Sequence, residues 1–136
     1  MNLRDCWHIT DEGLLYLSSL TSLQDLKLSF CYQVTNKGLA YLKSLKNLQT
    51  LNLSSISNIT GKGFSYIKDL PNLINLNLAY SRGVTKKSLL QLKLFQNLQT
   101  LNLSACKEIN EEDVLNLSAS LQNCQVIYNN TYEDWD

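Results

Sequence analysis

The sequence predicts one α/β domain in which short parallel strands and helices stack along a single axis as a right-handed solenoid. Three observations carry this expectation. The chain repeats itself every 25 residues, and each repeat changes midway from an alternation of two to a helical spacing. Its 136 residues, 44% of them hydrophobic, are enough for one continuous core rather than two domains.

The repeat is visible as columns. Leu3, Leu28, Leu53, Leu78 and Leu103 form one, Leu26, Leu51, Leu76 and Leu101 a second, and Leu23, Leu48, Leu73 and Leu98 a third. Ile9, Val34, Ile59, Val84 and Ile109 stand behind them, followed directly by Thr10, Thr35, Thr60, Thr85 and Asn110. Leu17, Leu42, Ile67, Leu92 and Leu117 complete the pattern. So many columns in register mark about five units, near 1–22, 23–47, 48–72, 73–97 and 98–128, with an acidic tail over 129–136.

Each unit begins with a strand. "LKL" at 26–28 and "LNL" at 51–53, 76–78 and 101–103 alternate with period two, so one face is buried. A turn follows, and Thr35 stands where a helix N-cap belongs, its hydroxyl placed to accept a backbone N–H of its own helix. Leu39, Leu42 and Leu45 then recur at helical spacing, with Lys43 and Lys46 in the expected last turn, where cations suit the helix dipole. Asn47, Asn72 and Asn97 are placed to close three successive helices, since asparagine tolerates the left-handed conformation of a C-cap. The last helix carries one extra residue, and a final strand is expected near Val126 to Tyr128. Stacked units place strands about 4.8 Å apart on one side and helices on the other. Helices are wider, so the stack curves with the strands on the concave side: a leucine-rich-repeat solenoid.

The stretch "LQDLKLSFCYQVTNKGLAYLKSL" resembles the cysteine-containing leucine-rich repeats of F-box proteins, whose signature runs Leu-x-x-Leu-x-Leu-x-x-Cys and then Ile/Val-Thr-Asp-x-Gly-Leu. The resemblance covers about residues 1–128. Similar arrays occur in bacterial proteins, including effectors of intracellular bacteria. It is strongest in the first two units: the cysteine column reads Cys6, Cys31, Ile56, Ser81, Cys106, and the glycine column Gly13, Gly38, Gly63, Ser88, Asp113. It implies protein recognition, and more specifically either substrate selection for a ubiquitin ligase or, as the Asn- and Lys-rich composition would suit, a host-directed bacterial effector. No F-box-like helical segment precedes the repeats, so a ubiquitin link would need a second polypeptide.

Composition bears on other classes. Twelve basic residues balance twelve acidic ones, which speaks against a nucleic-acid partner. No run approaches a membrane span and no signal peptide opens the chain, so the expected setting is the cytoplasm, with reduced thiols (host cytosol for an effector). The five Asn-x-Ser/Thr sequons then carry no meaning for glycosylation.

Cys6 and Cys31 fall on neighbouring rungs about 5 Å apart, a distance that admits a disulfide or two zinc ligands. Cys106 lies three rungs from Cys31, roughly 14 Å away, and no Cys-x-x-Cys spacing occurs. The preferred reading is structural thiols that point inward and donate weakly to loop carbonyls. Any Cys–His or Ser–His nucleophile would need His8, the one histidine, which sits on the outer turn facing away from Cys6. Asp11, Glu12, Glu111 and Glu112 suit helix N-termini. No enzyme activity, metal or cofactor is expected.

A protein partner has two surfaces to touch. On the concave sheet Lys27, Asn52, Asn77 and Asn102 form one outward row, flanked by Ser29, Ser54, Ala79, Ser104 and by Asp25, Thr50, Asn75, Thr100. These rows either contact a partner or form a hydrogen-bonded asparagine ladder that keeps the sheet soluble. On the rim Trp7, Phe30 and Tyr32 cluster, with Tyr80 and Arg82 farther along, residue types that dominate interface hot spots. Trp7 and Tyr32 either present themselves outward or stack on each other. Tyr16, Tyr41 and Tyr66 read as helix-to-helix packing. The first unit has no polar cap, so weak homodimerisation through the N-terminal end, or a self-associating structural role, is a further expectation. Thiol titration of the unfolded chain without reductant should find four free cysteines, and elemental analysis no stoichiometric zinc; fewer thiols or one zinc per chain would contradict the inward-thiol reading.

Overall fold

The computed structural model describes residues 1–130, and the tail from 131 on lies outside them. Along these residues the period becomes an alternation of helices and strands. The helices are α1 (Asp11–Leu17), α2 (Asn36–Tyr41), α3 (Gly61–Ile67), α4 (Lys86–Leu92) and α5 (Glu111–Ser120). The strands are β1 (Asp25–Lys27), β2 (Thr50–Asn52), β3 (Asn75–Asn77), β4 (Thr100–Asn102) and β5 (Gln125–Ile127). They form one parallel sheet in chain order, each rung offset from the last by one repeat: Leu26 pairs with Leu51, Leu51 with Leu76, Leu76 with Leu101, and Leu101 with Val126. Ahead of β1 the chain adds half a rung. Asn2 bridges Lys27, and the Leu3 N–H donates to the Lys27 carbonyl at 2.8 Å.

The strands begin one residue earlier than the leucine alternation marks, and the ladder runs on past them through the Leu28 N–H to the Asn52 carbonyl, 2.9 Å. Between sheet and helices lies the core. Leu26, Leu51 and Leu101 are fully buried, as are Leu28, Val34, Leu39, Leu42, Leu45 and Leu48. Each such side chain contributes roughly 1.5–3 kcal/mol of hydrophobic stabilisation, and stacking repeats them along the axis.

The helix caps differ from the sequence expectation. Thr35 has the extended backbone of an N-cap, but its hydroxyl does not serve its own helix. Instead the Asp11 carboxylate at the head of α1 reaches across to the next unit. It accepts the Thr35 N–H at 2.8 Å and the Thr35 hydroxyl at 2.5 Å. Asn36 repeats the manoeuvre one unit on, accepting the Thr60 N–H at 2.8 Å and donating to the Thr60 hydroxyl at 2.8 Å. The incoming oxygen thus takes the threonine N–H that, in the last two units, the side chain of Ser88 or Asp113 accepts for Thr85 or Asn110.

This relay explains the glycine column. A Cβ on Gly38 would fall 2.3 Å from the Asp11 Oδ1, and one on Gly63 2.4 Å from the Asn36 Oδ1. Glycine clears the path of the incoming side chain. Where the preceding helix opens with Gly61, no side chain can arrive, and Thr85 closes a local capping box with Ser88. Where it opens with Lys86, Asn110 and Asp113 form the box, both bonds 2.9 Å, and Lys86 lies 3.9 Å from Asp113. Thus the column changes to Ser88 and Asp113 where the relay stops.

The helix ends also depart from expectation. α2 stops at Tyr41 and continues as a short 3-10 turn over Leu42–Ser44, so Lys46 lies beyond it. Asn47 and Asn72 do not take the left-handed C-cap conformation. Their amides instead donate to the Thr21 and Lys46 carbonyls at 2.9 and 2.7 Å, tying each return loop to the one behind. A backbone carbonyl of the neighbouring loop is within reach only because the units stack, a partner that single-helix reasoning leaves out.

Gly38→Ala should lower stability by about 1–3 kcal/mol, because the Asp11 oxygens lose their partners. Gly13→Ala, whose Cβ meets nothing nearer than 3.6 Å, should be neutral or raise stability by up to about 1 kcal/mol through helix propensity. Urea melts of the two variants check this; equal effects would rule out the relay.

Candidate interaction surface

After the half-rung at Asn2 and after each of β1 to β4 the chain bends into the rim, and each bend uses the left-handed region: φ is 61° at Asp5, 62° at Phe30, 61° at Ser55, 60° at Tyr80 and 55° at Ala105. Such a conformation costs an L-residue roughly 1–2 kcal/mol. The asparagines just upstream hold the bend. The Oδ1 of Asn52 accepts the Ser54 N–H at 2.9 Å, that of Asn77 the Ala79 N–H at 3.0 Å, and that of Asn102 the Ser104 N–H at 2.9 Å. The amides therefore do not form a ladder from rung to rung; each spends its oxygen within its own unit, as an Asx turn does, and keeps its NH₂ for the concave side.

Lys27, Asn52, Asn77 and Asn102 line a shallow concave hollow of about 260 Å³, closed at one end by Ile127. Lys27 is exposed and the three asparagines half-buried. Of the row expected beside them, Ser29 and Ala79 are buried, whereas Ser54 and Ser104 are half-buried like the asparagines.

The rim carries the exposed rings. Trp7, Tyr32 and Tyr80 are 59%, 56% and 52% exposed. Trp7 does not stack on Tyr32. Its ring lies on His8, with centroids 3.6 Å apart, while Tyr32 meets Phe30 edge-on at 6.1 Å. Arg4 sits 5.2 Å from the centre of the half-buried Phe30 ring and pairs with Asp5 at 3.4 Å. Sequence reading missed Arg4 and His8, since neither shares a column with the other aromatics. The rim backbone is tied down between units: Gln33 donates to the Trp7 carbonyl at 2.8 Å, and Asn58 to that of Tyr32 at 3.3 Å. Arg82, exposed, follows Tyr80 two residues on. Serines 55 and 57 lie between the two groups, so the rim has an N-terminal aromatic patch and a second one at Tyr80 and Arg82.

On the convex side Tyr41 packs against the core and Tyr66 lies half-buried under the Lys43 ammonium, 4.8 Å from its ring centre. Tyr16, with no helix before it, is 74% exposed.

The thiols point inward. Cys31 donates to the Leu3 carbonyl at 3.1 Å and Cys106 to that of Leu78 at 3.2 Å, each reaching the strand of the unit behind. Burial pushes the Cys106 thiol up to about 11 and raises that of Cys31 as well. Both stay protonated at neutral pH and are poor nucleophiles. His8 faces outward against Trp7. Among the described residues no group of three or more His, Cys, Asp or Glu could hold a metal ion, and no helix is long and apolar enough to cross a membrane.

The geometry defines a leucine-rich-repeat solenoid, and comparison with known proteins agrees. A family model described as "Leucine Rich repeat" matches residues 2–18. No curated protein matches the chain. Among solved structures, a chain of the Rad7 and Elc1 complex in yeast is similar at a TM-score of 0.70 and 23% identity, over 88% of this chain and 30% of that one. A second, of Leiomodin-1 Actin-Binding Site 2, is similar at 0.66 and 20%, over 90% of this chain and 78% of that one. These likenesses are of fold. This chain spans less than a third of the Rad7–Elc1 chain it resembles.

Replacing the strained, half-buried Ser55 by Gly should raise stability by roughly 0.5–1 kcal/mol, the relieved strain less glycine's entropy. Tyr80→Gly should be no less stable than the parent although it deletes a ring. Denaturant midpoints decide, and a clear loss at both positions would show that the bend is not strained.

Proposed function

We propose that this chain is a protein-recognition module without chemistry of its own, engaging a protein partner through its rim and adjoining concave face. Trp7, Phe30, Tyr32, Tyr80 and Arg82 supply the anchoring contacts, and Lys27, Asn52, Asn77 and Asn102 the hydrogen-bonding floor. One observation carries the reading: Tyr80 is a large ring, 52% exposed, held at a φ of 60° where glycine would be free of strain. A bulky residue kept exposed in a costly conformation has a use that stability does not explain. Aromatic and arginine side chains on a rigid backbone lose little entropy on binding and dominate hot spots.

A second reading, substrate selection for a ubiquitin ligase, draws support from the F-box-like repeats and from the presence of this fold in a two-protein complex, that of Rad7 and Elc1. It needs a second polypeptide to recruit the ligase. A host-directed effector would use the same rim. The free cysteines fit a reducing compartment in either case.

Immobilised protein should retain a specific set of cytosolic proteins identifiable by mass spectrometry. A Trp7→Ala/Tyr32→Ala or Tyr80→Ala/Arg82→Ala variant should lose that set by tenfold or more while its melt is unchanged, whereas Asn77→Ala should have less effect. Capture that is indifferent to all of the rim substitutions would overturn the proposal.

A further inference from the structure

The end of the stack before α1 has the same construction as the four interfaces inside it, with one side missing. Leu26 and Leu45 are fully buried by the unit behind them, while their equivalents Met1 and Leu20 are 45% and 41% exposed. Leu28, Val34, Leu42 and Leu48 are likewise fully buried, but Leu3, Ile9, Leu17 and Leu23 are only partly covered. Cys31 and Cys106 each donate to a carbonyl of the strand behind; no strand lies behind Cys6 among the described residues.

The capping positions narrow what would fit. Thr10 and Gly13 repeat the pair Thr35 and Gly38, and the pair Thr60 and Gly63, that receive the relay. Thr10 has the same extended N-cap backbone, φ −114° and ψ 177°, and no side-chain cap of its own. Around a Cβ built on Gly13 only Ile9 comes within 4 Å, whereas the equivalent sites on Gly38 and Gly63 are filled by the oxygen of Asp11 or Asn36. The chain itself shows that the residue pair depends on what stands behind it: behind Gly61 and Lys86 the glycine gives way to Ser88 and Asp113, which cap locally. α1 has neither device. It carries the receiving residues of a relay without the donor.

We infer that this N-terminal face is a docking surface for one further strand–turn–helix unit of the same design, whose helix opens with Asp or Asn. Its strand would pair in parallel with the outer edge of Met1–Leu3, its leucines would cover Leu3, Ile9, Leu17 and Leu23, and its first helical side chain would pass over Gly13 to accept the Thr10 N–H. The helix-head side chains of a second copy of this chain do not supply that group. Its Asp11 and Asn36 are already bonded to Thr35 and Thr60. Trp7 stands in the first unit beside this face, but Tyr80 and Arg82 lie three units away from it, so the Tyr80→Ala/Arg82→Ala variant tests the recognition reading apart from this inference.

The test adds one unit with the sequence of residues 26–50 directly before Met1, in register with the period, so that the added copy of Asn36 falls over Gly13. The extended protein should melt at a higher urea midpoint, with a larger m-value, and hydrogen exchange at Thr10 and at Asn2, the equivalent of Lys27 whose N–H donates to the strand behind, should slow at least tenfold. Asn→Ala at the added copy of Asn36, or Gly13→Ala in the extended protein, should cancel most of the protection at Thr10. Gly13→Ala in the chain without the addition should fold normally, which separates loss of docking from loss of fold. An added unit that stays unprotected, or protection that survives both substitutions, would overturn the inference. So would a concentration-dependent dimer of the unextended chain that protects Thr10 equally, because the face would then belong to a second copy.

Discussion

The side chain at the head of one helix capping the helix of the next unit is the constraint on which most of this structure depends. Asp11 and Asn36 each reach 24 residues forward to the N-cap threonine of the following unit. The bond forms only when strand, turn, helix and return have the same length in both units. An insertion anywhere between the two would carry the threonine away from its acceptor. Between the first three units the 25-residue offset therefore rests on this hydrogen bonding as well as on the leucines, while the last two units keep the same offset through the leucine columns and the strand ladder. The glycines at positions 38 and 63 are there for the same reason, as clearance rather than for flexibility.

On the other side of the sheet a different bond fixes the rim. Each concave asparagine uses its carbonyl oxygen to hold the N–H two residues ahead, and the chain then enters the left-handed bend. Gln33 and Asn58 fasten the outer loops to the units behind them. The rings of Trp7, Tyr32 and Tyr80 thus sit on a backbone with few ways to move. A surface of this kind binds without first having to order itself, which is how a small number of exposed rings can suffice.

The fold was legible in the sequence because hydrophobic period is a one-dimensional signal, and columns such as Leu26, Leu51, Leu76 and Leu101 state it directly. The inward thiols followed from the same register. What could not be read were bonds between units. Thr35 looks like an ordinary N-cap until Asp11, 24 residues away, is placed beside it, and Asn47 looks like a C-cap until the Thr21 carbonyl is found next to its amide. The left-handed bend was hidden for another reason: glycine is its usual marker, and none stands at Asp5, Phe30, Ser55, Tyr80 or Ala105. The candidate contact residues are proposed from type and column, which do not give their pairing. Ring geometry placed Trp7 on His8, and Phe30 between Arg4 and Tyr32, relations that depend on side-chain torsions a column does not encode.

Relay and capping box divide the molecule into two kinds of unit. A relayed helix borrows its cap, so its energy resides partly in the junction with its neighbour; a boxed helix carries its cap within itself. The first three units are of the borrowing kind apart from the head of α1, and the last two are self-sufficient. In the last two, loss of the neighbour would remove core and ladder contacts but leave the helix cap in place. For α2 and α3 it would remove the cap as well. The glycine column therefore marks the helices whose caps are shared across a junction, and its end at Ser88 marks where each helix begins to hold its own cap.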